Sequence, residues 1–474
     1  MSVEVTNALA ERYASAEMKS IWTASGKVML EREFWIAVMK AQQELGIEIE
    51  PEAIINSEKV KTDVDLESIR QREQVTKHDV KARLEEFAAK SGHQHAHKGM
   101  TSRDLTENVE QLQVHRSLGL ILEKSIAALI ALAEKAKQYK ELPVTARSHN
   151  VPAQLTTLGK RFANWGEELE RCVEALSRLC ANYPYRGLKG AVGTCLDQIT
   201  LLGSTAKAAD LDRKVMTHLG APANWENVGQ VYPRSLDFEV VSLLNRIAAA
   251  PSSFSKTLRI MAGHELLGEG FAKGQTGSSA MPHKMNSRSC ERINGFYAIL
   301  TGHLAMLSHL SGDQWNEGDV SCSVVRRVAL PDAFFAMDGL LDTFLTVLNQ
   351  MEVFPAVIEA ETEKYLPFLL STTVMMEAVK AGAGREDAHA AIKEHAVATV
   401  KDLRTGKIKE NDLADRLAKD SRIGLDAGQL NALMEDGKKR VGAAHSQVDI
   451  FSKKVDSWVL KYPASKDYSP PSIL

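Results

Sequence analysis

Aromatic residues are scarce in this chain of 474 residues, at 6%, and no sustained alternation of apolar and polar positions runs through it. Both absences argue against a large β-sheet. Cysteine is also sparse. Cys172, Cys180, Cys195, Cys290 and Cys322 are odd in number, widely spaced and without a Cys-x-x-Cys pair, which excludes a disulfide framework and fits free thiols in a reducing compartment. The longest apolar stretches are too short and too interrupted to cross a bilayer. Residues Met1 to Asn7 lack the basic start and apolar run of a secretion signal, so a cytoplasmic location is expected. A net charge of −3 and a pI near 6.6 give no global attraction to nucleic acid or to an anionic membrane. An anionic small-molecule substrate must therefore be held by local cations.

Helical spacing, by contrast, is pervasive. Leu105, Val109, Leu112, Leu118, Ile121, Ile126, Leu129 and Leu132 form one long stripe at three-to-four spacing. Thr101 and Asp104 supply a cap and a first-turn carboxylate at its start. Similar patterns cover roughly Leu155 to Cys180, Phe238 to Leu267, Ser289 to Leu310 and Leu330 to Gln350. The spacing predicts an all-α protein with an elongated bundle of long helices. Stripes this apolar also predict packing against other subunits. Composition shifts near Phe354 and Pro355, giving three expected helical domains at 1–110, 111–356 and 357–474. The tail from Ser465 is expected to be extended or loosely docked.

The densest chemistry lies in the loop Gly277-Ser278-Ser279-Ala280-Met281-Pro282-His283-Lys284-Met285-Asn286, with Glu291 five residues on. Gly274 and Gly277 let the preceding segment swing over a ligand, and Pro282 stiffens the exit. Lys284 and Asn286 are cationic and neutral donors for a carboxylate; Ser278 or Ser279 can supply an oxygen nucleophile or base. Gly, Ser and Pro also build ordinary solvent loops. His149 stands between loop residues, ahead of a helix expected near Leu155, and reads equally as a proton donor or as a hydrogen-bonded structural histidine. His93, His95 and His97 alternate. On an extended strand they would face one way as metal ligands, but no carboxylate or cysteine companion has convincing spacing, so no metal is expected.

The full loop string resembles the signature of the fumarase/aspartase superfamily, with Ser287 where many members carry proline. Within that superfamily the chain is similar to the adenylosuccinate lyases. The segment Arg147 to Thr157 resembles the superfamily's histidine-bearing Thr-His-x-x-Pro-Ala run, with Ser148 in place of threonine. His97-Lys98-Gly99-Met100-Thr101-Ser102 is similar to a His-x-Gly-x-Thr-Ser run, Thr76 to Val80 to a Thr-x-His-Asp-Val run, and Arg12-Tyr13 to the family's phosphate-holding pair. The resemblance implies β-elimination of fumarate without a cofactor, from adenylosuccinate and from the succinylcarboxamide ribotide. It implies Ser278 as base, His149 as acid and Glu291 as the carboxylate that orients it. Ser279, Lys284 and Asn286 would stabilise the aci-carboxylate, and Thr101 and Ser102 would bind a succinyl carboxylate. His97 would touch the phosphate or assist proton transfer, and His78 and Asp79 would line the purine site. Gln230 would bind substrate, and Ser323 and Arg327 would bind phosphate. The family's arginine after Glu317 is replaced by Gly318. A homotetramer with active sites shared between subunits is implied as well. Argininosuccinate lyase, the carboxymuconate cycloisomerase and a non-catalytic helical scaffold are the competing readings.

Overall fold

A computed structural model of the chain describes residues 7–270, 281 and 284–472. Five long helices carry the architecture: Ser102–Gln138, Leu158–Ala181, Ser235–Gly263, Arg288–Leu310 and Cys322–Gln350. They are called the first to fifth long helices below. The first, at 37 residues, is about 55 Å long at the α-helical rise. Asp104 Oδ2 accepts the Thr101 N–H at 2.9 Å, so the capping carboxylate expected from the sequence is in place. Every position of the predicted stripe from Leu105 to Leu132 is buried.

Two helix starts fall earlier in the chain than the sequence pattern suggested. Cys322–Gln350 runs through Pro331 rather than beginning beside it, and Ser235–Gly263 runs through Pro251. Each proline removes only one backbone donor, and burial of both long helices against their neighbours offsets that loss. The second long helix begins at Leu158, three residues late, because the chain before it forms an antiparallel hairpin of Pro143–Ser148 with Val151–Thr157. Only two further short strand pairs occur among the described residues, in keeping with an all-α fold.

One apolar core runs the length of the five helices and takes in Phe34 and Trp35 of the helix Ala24–Glu44. A second, smaller core lies between Val374 and Leu433, under the helices Ser371–Lys380, Arg385–Arg404, Leu413–Ala418 and Ala427–Glu435. The chain then returns. Val448, Phe451 and Val455 of the helix Ala444–Lys461 are buried in the first core, not the second. The tail past Pro463 is docked rather than loose, with Ser465 buried and Tyr468 hydrogen-bonded to Asp342.

The contact between the returning helix and the second long helix depends on a glycine. A Cβ at Gly166 would lie 2.0 Å from Phe451 Cζ, and Phe451 is buried. A mid-helix glycine-to-alanine change ordinarily gains about 1 kcal/mol, whereas overpacking a filled core costs about 1–3 kcal/mol. Gly166→Ala is therefore expected to lower stability, read as a lower midpoint in denaturant unfolding followed by circular dichroism. An unchanged or raised midpoint would show that the ring yields freely.

Candidate active site

Asp104 organises the first part of the site. Fully buried one turn into the first long helix, it accepts hydrogen bonds at Oδ1 from Arg186 Nη1 at 2.6 Å and from the Lys189 and Gly190 N–H groups at 2.9 Å. Its other oxygen holds the Thr101 N–H, so Thr101 and Ser102 sit at a fixed helix start. Arg186 also donates to the Gly229 carbonyl at 3.1 Å, and the Gln230 N–H donates to the Glu317 carbonyl at 2.7 Å. Thr101, Ser102, Gln230 and the 317–318 turn thus belong to one hydrogen-bonded neighbourhood. Gly318 is explained there: its φ is +127°, and a Cβ would lie 2.6 Å from Val231 Cγ2. No arginine side chain fits this backbone.

The paired arginines that follow divide their work. Arg326 is buried and donates from Nε to Asp237 Oδ2 at 2.7 Å and from Nη1 to Glu110 Oε2 at 2.5 Å, with the Tyr232 hydroxyl on its other nitrogen. Glu107 beneath it pairs with Arg234 at 2.8 Å and Arg103 at 3.2 Å. Burial alone would lower the Arg326 pKa, but Asp237, Tyr232 and Glu110 around it raise it, so the guanidinium stays charged. Arg327 and Ser323, the expected phosphate ligands, lie outside this cluster; Arg327 is exposed and Ser323 half-buried.

A second group of cations gathers at the start of the fourth long helix. Glu269, buried, accepts the N–H groups of Ser289 and Cys290 at 3.1 Å and so caps that helix just beyond the signature loop. Tyr13 stands edge-on to Phe296, ring centroids 5.0 Å apart, and the Arg292 guanidinium lies 5.4 Å from the Tyr13 ring centre. Burial lowers the Arg292 pKa; Tyr13 opposes the shift, and Arg288 and Arg12 add repulsion. Three guanidiniums thus lie within electrostatic reach of one another beside a phenol, with the Glu269 carboxylate offsetting part of their charge, and the surplus of cations favours an anion. The sequence reading passed over Arg288, Arg292 and Glu269. Two arginines one helical turn apart after the loop were the available signal; nothing in the sequence marked Glu269.

Lys284, Asn286 and Glu291 line an open groove of about 650 Å³ with Lys256 and Arg259 of the third long helix. Ser278 and Ser279 lie outside the described residues. Glu291 is exposed, and its carboxylate is 3.6 Å from Arg259. The pairing of Glu291 with His149 implied by resemblance is not made within the chain: no hydrogen bond or ion pair joins them among the described residues. His149 instead occupies the hairpin tip, exposed. His149 and Asn150 have φ of +51° and +60°, the two positive values of a type I′ turn. The hairpin is braced against the C-terminal unit, with Arg147 Nη2 2.5 Å from Glu361 Oε1 and Gln154 donating to Thr372.

The N-terminal histidines separate. His97, at φ +69°, accepts from Trp35 Nε1 at 3.1 Å, which leaves its Nε2 to carry the proton, and burial lowers its pKa. The three-imidazole row considered from the sequence does not form. His93 and His95 meet Glu50 instead, a carboxylate the spacing did not reveal; His95 Nε2 lies 2.6 Å from Glu50 and its Nδ1 2.7 Å from Lys98 Nζ. That ammonium opposes a cation at the same place. His78 caps the helix Asp79–Ser91 through the Lys81 N–H. Asp79 is bonded to Arg83 at 3.0 Å; burial opposes but Arg83 outweighs it, leaving the carboxyl pKa low.

Comparisons with known proteins bear on this arrangement. A family model described as lyase matches residues 11–302, and one described as adenylosuccinate lyase C-terminus matches 367–451. Adenylosuccinate lyase of Saccharomyces cerevisiae is 32% identical over 459 residues, covering 95% of this chain and 94% of the relative. That of Schistosoma mansoni is 32% identical over 470 residues, covering 97% and 96%. The crystal structure of 3-carboxy-cis,cis-muconate lactonizing enzyme from Pseudomonas putida superimposes with a TM-score of 0.81 at 20% identity, over 96% of this chain and all of the other, and shares the fold. Near full-length similarity at this level, with both family models in order along the sequence, places the chain in the adenylosuccinate lyase family.

Proposed function

We propose that the chain performs β-elimination of fumarate from adenylosuccinate, giving AMP, and from the succinylcarboxamide ribotide SAICAR, giving AICAR, in purine biosynthesis. The observation that carries this reading is the contact of Arg292 with Tyr13 at the start of the helix after the signature loop, with Arg12 and Arg288 near enough to act on the Arg292 charge. Lyases acting on a simple succinate have no phosphate to place there; a nucleotide substrate does.

In this mechanism Ser278 removes a proton from the succinyl carbon next to a carboxylate. The electron pair moves into an aci-carboxylate held by Lys284, Asn286, Ser279 and loop N–H groups. The C–N bond then breaks, His149 donates a proton to the departing nitrogen, and fumarate leaves. Thr101 and Ser102 bind the second carboxylate. Gln230, His97, His78 and Asp79 contact the rest of the nucleotide, and Arg327 and Ser323 join Arg12 and Tyr13 on the phosphate. No metal or cofactor enters these steps.

The same reading makes the protein a cytoplasmic homotetramer of three-domain subunits divided at 1–110, 111–356 and 357–474. Two features support shared sites. His149 and Glu291 make no hydrogen bond or ion pair with each other among the described residues, and Val324 and Val328, one helical turn apart on the fifth long helix beside Arg327, are exposed, as is Val320 just before that helix.

Ser278→Ala is expected to bind adenylosuccinate with near-parent affinity while kcat falls by about 10²–10⁴, the usual contribution of a positioned base. Turnover within a few-fold of the parent would remove Ser278 from that role. His149→Ala and Glu291→Gln are each expected to be nearly inactive, yet subunits of the two variants, mixed and reassembled, should regain measurable fumarate release. A mixture as inactive as its components would mean that each site is built by a single chain.

A further inference from the structure

The helix that presents Arg12 is too short to hold itself in place. Ala8–Arg12 has five residues, none of them buried, and so small a helix is unstable without outside support. Its support comes from one face of the fifth long helix. At its start the Asn7 side chain caps the Leu9 and Ala10 N–H groups and donates to Asp332 Oδ1 at 2.6 Å. Just past its end the Ser15 N–H donates to Asp338 Oδ2 at 2.6 Å. Between them Tyr13 lies against Gly339, where a Cβ would come within 2.8 Å of Tyr13 Cβ.

Asp338 does not stand alone. It and Asp342, one helical turn on, share the buried ammonium of Lys124 from the first long helix, at 2.5 and 2.8 Å. Two buried carboxylates on one ammonium leave an excess negative charge, which needs further donors. The Ser15 N–H serves Asp338. For Asp342 the donor is the hydroxyl of Tyr468, 2.6 Å from Oδ1, and the Tyr468 ring also lies 5.4 Å from Lys124 Nζ. Tyr468 belongs to the far end of the chain, carried there by the short 3₁₀ turn Pro463–Asp467, whose Ser465 is buried.

We propose that half-buried Tyr468 and the buried Asp342, Lys124 and Asp338 form a relay through which the C-terminal segment positions Arg12 and Tyr13 for the substrate phosphate. The assignment rests on the reading of Arg12 and Tyr13 as phosphate ligands. Removing the Tyr468 hydroxyl leaves Asp342 short of a donor, draws Lys124 toward it and away from Asp338, and so releases the Asp338 carboxylate to shift, carrying with it the Ser15 N–H bonded to it at the end of the Arg12 helix. All four are positioning residues; none touches the reacting atoms.

The test is steady-state kinetics of Tyr468→Phe and of Asp338→Asn with adenylosuccinate, with Arg12→Ala beside them. Loss of one net hydrogen bond corresponds to about fivefold in affinity. Both relay variants should therefore raise KM about fivefold and weaken inhibition by AMP by the same factor. Their kcat should stay within about twofold of the parent, and inhibition by fumarate, which has no phosphate, should be unchanged. A fall in kcat at constant KM, the mark of lost folded enzyme, would overturn the relay. So would unchanged KM and AMP inhibition in Tyr468→Phe while Arg12→Ala shifts both. If Arg12→Ala shifts neither, the phosphate reading itself fails and the relay falls with it.

Discussion

The guanidinium of Arg326 is the point on which the long-helix bundle turns. It enters from the fifth long helix and meets Asp237 of the third and Glu110 of the first, with Tyr232 closing the remaining side. Arg234 and Arg103 balance Glu107 beneath it, so three arginines face three carboxylates in a largely buried cluster open to solvent only at Arg103 and Glu110. Apolar stripes permit a helix to slide by a turn and still be buried; a fork of directed hydrogen bonds does not. A charge of this kind costs several kcal/mol when left unpaired and stabilises little when paired. Its effect here is to fix the relative register of three helices, and that register decides where Thr101, Gln230, Ser323 and Arg327 come to lie.

The same device recurs at smaller scale at three segments of the candidate site. Asp104 ties Thr101 to the 186–190 loop, Glu269 caps the helix that follows the signature loop, and Asp338 ends the turn that carries Arg12. In each case the anchoring carboxylate is buried and the presented residue is not. Helix ends suit this work because they carry N–H groups in need of an acceptor. One buried acid then satisfies the helix and orients its first residues together. Thr101 with Ser102, and Arg288 through Arg292, sit at the ends of rods.

The helices were legible in the sequence because burial of a stripe is a local, periodic signal. The cap formed by Asp104 was legible for the same reason. The hairpin at His149 was missed although Val144, Thr145, Val151, Thr156 and Thr157 surround a two-residue His-Asn turn; the helical pattern beyond it drew the boundary too early. Arg326 and Arg327, adjacent and chemically identical, could not be told apart until the fold buried one and exposed the other. Gly318 looked like a lost ligand and proved to be a backbone requirement set by Val231. Glu50 and Tyr468 reach their partners across long stretches of chain, and no spacing rule carries such information. The chemical roles at the loop and at His149 were read from residue types and resemblance, whereas the exposed positions of His149 and Glu291, with no bond between them among the described residues, came only from the fold.

The central claim is that this arrangement serves a phosphorylated succinyl adduct rather than a simple dicarboxylate. The most direct measurement supplies the protein, in separate reactions, with adenylosuccinate, argininosuccinate and carboxymuconate, and follows fumarate by its ultraviolet absorbance together with chromatography of the products. The account predicts fumarate and AMP in equal amounts from adenylosuccinate and no turnover of the other two. Release of fumarate from argininosuccinate, conversion of carboxymuconate, or no reaction with adenylosuccinate would contradict it.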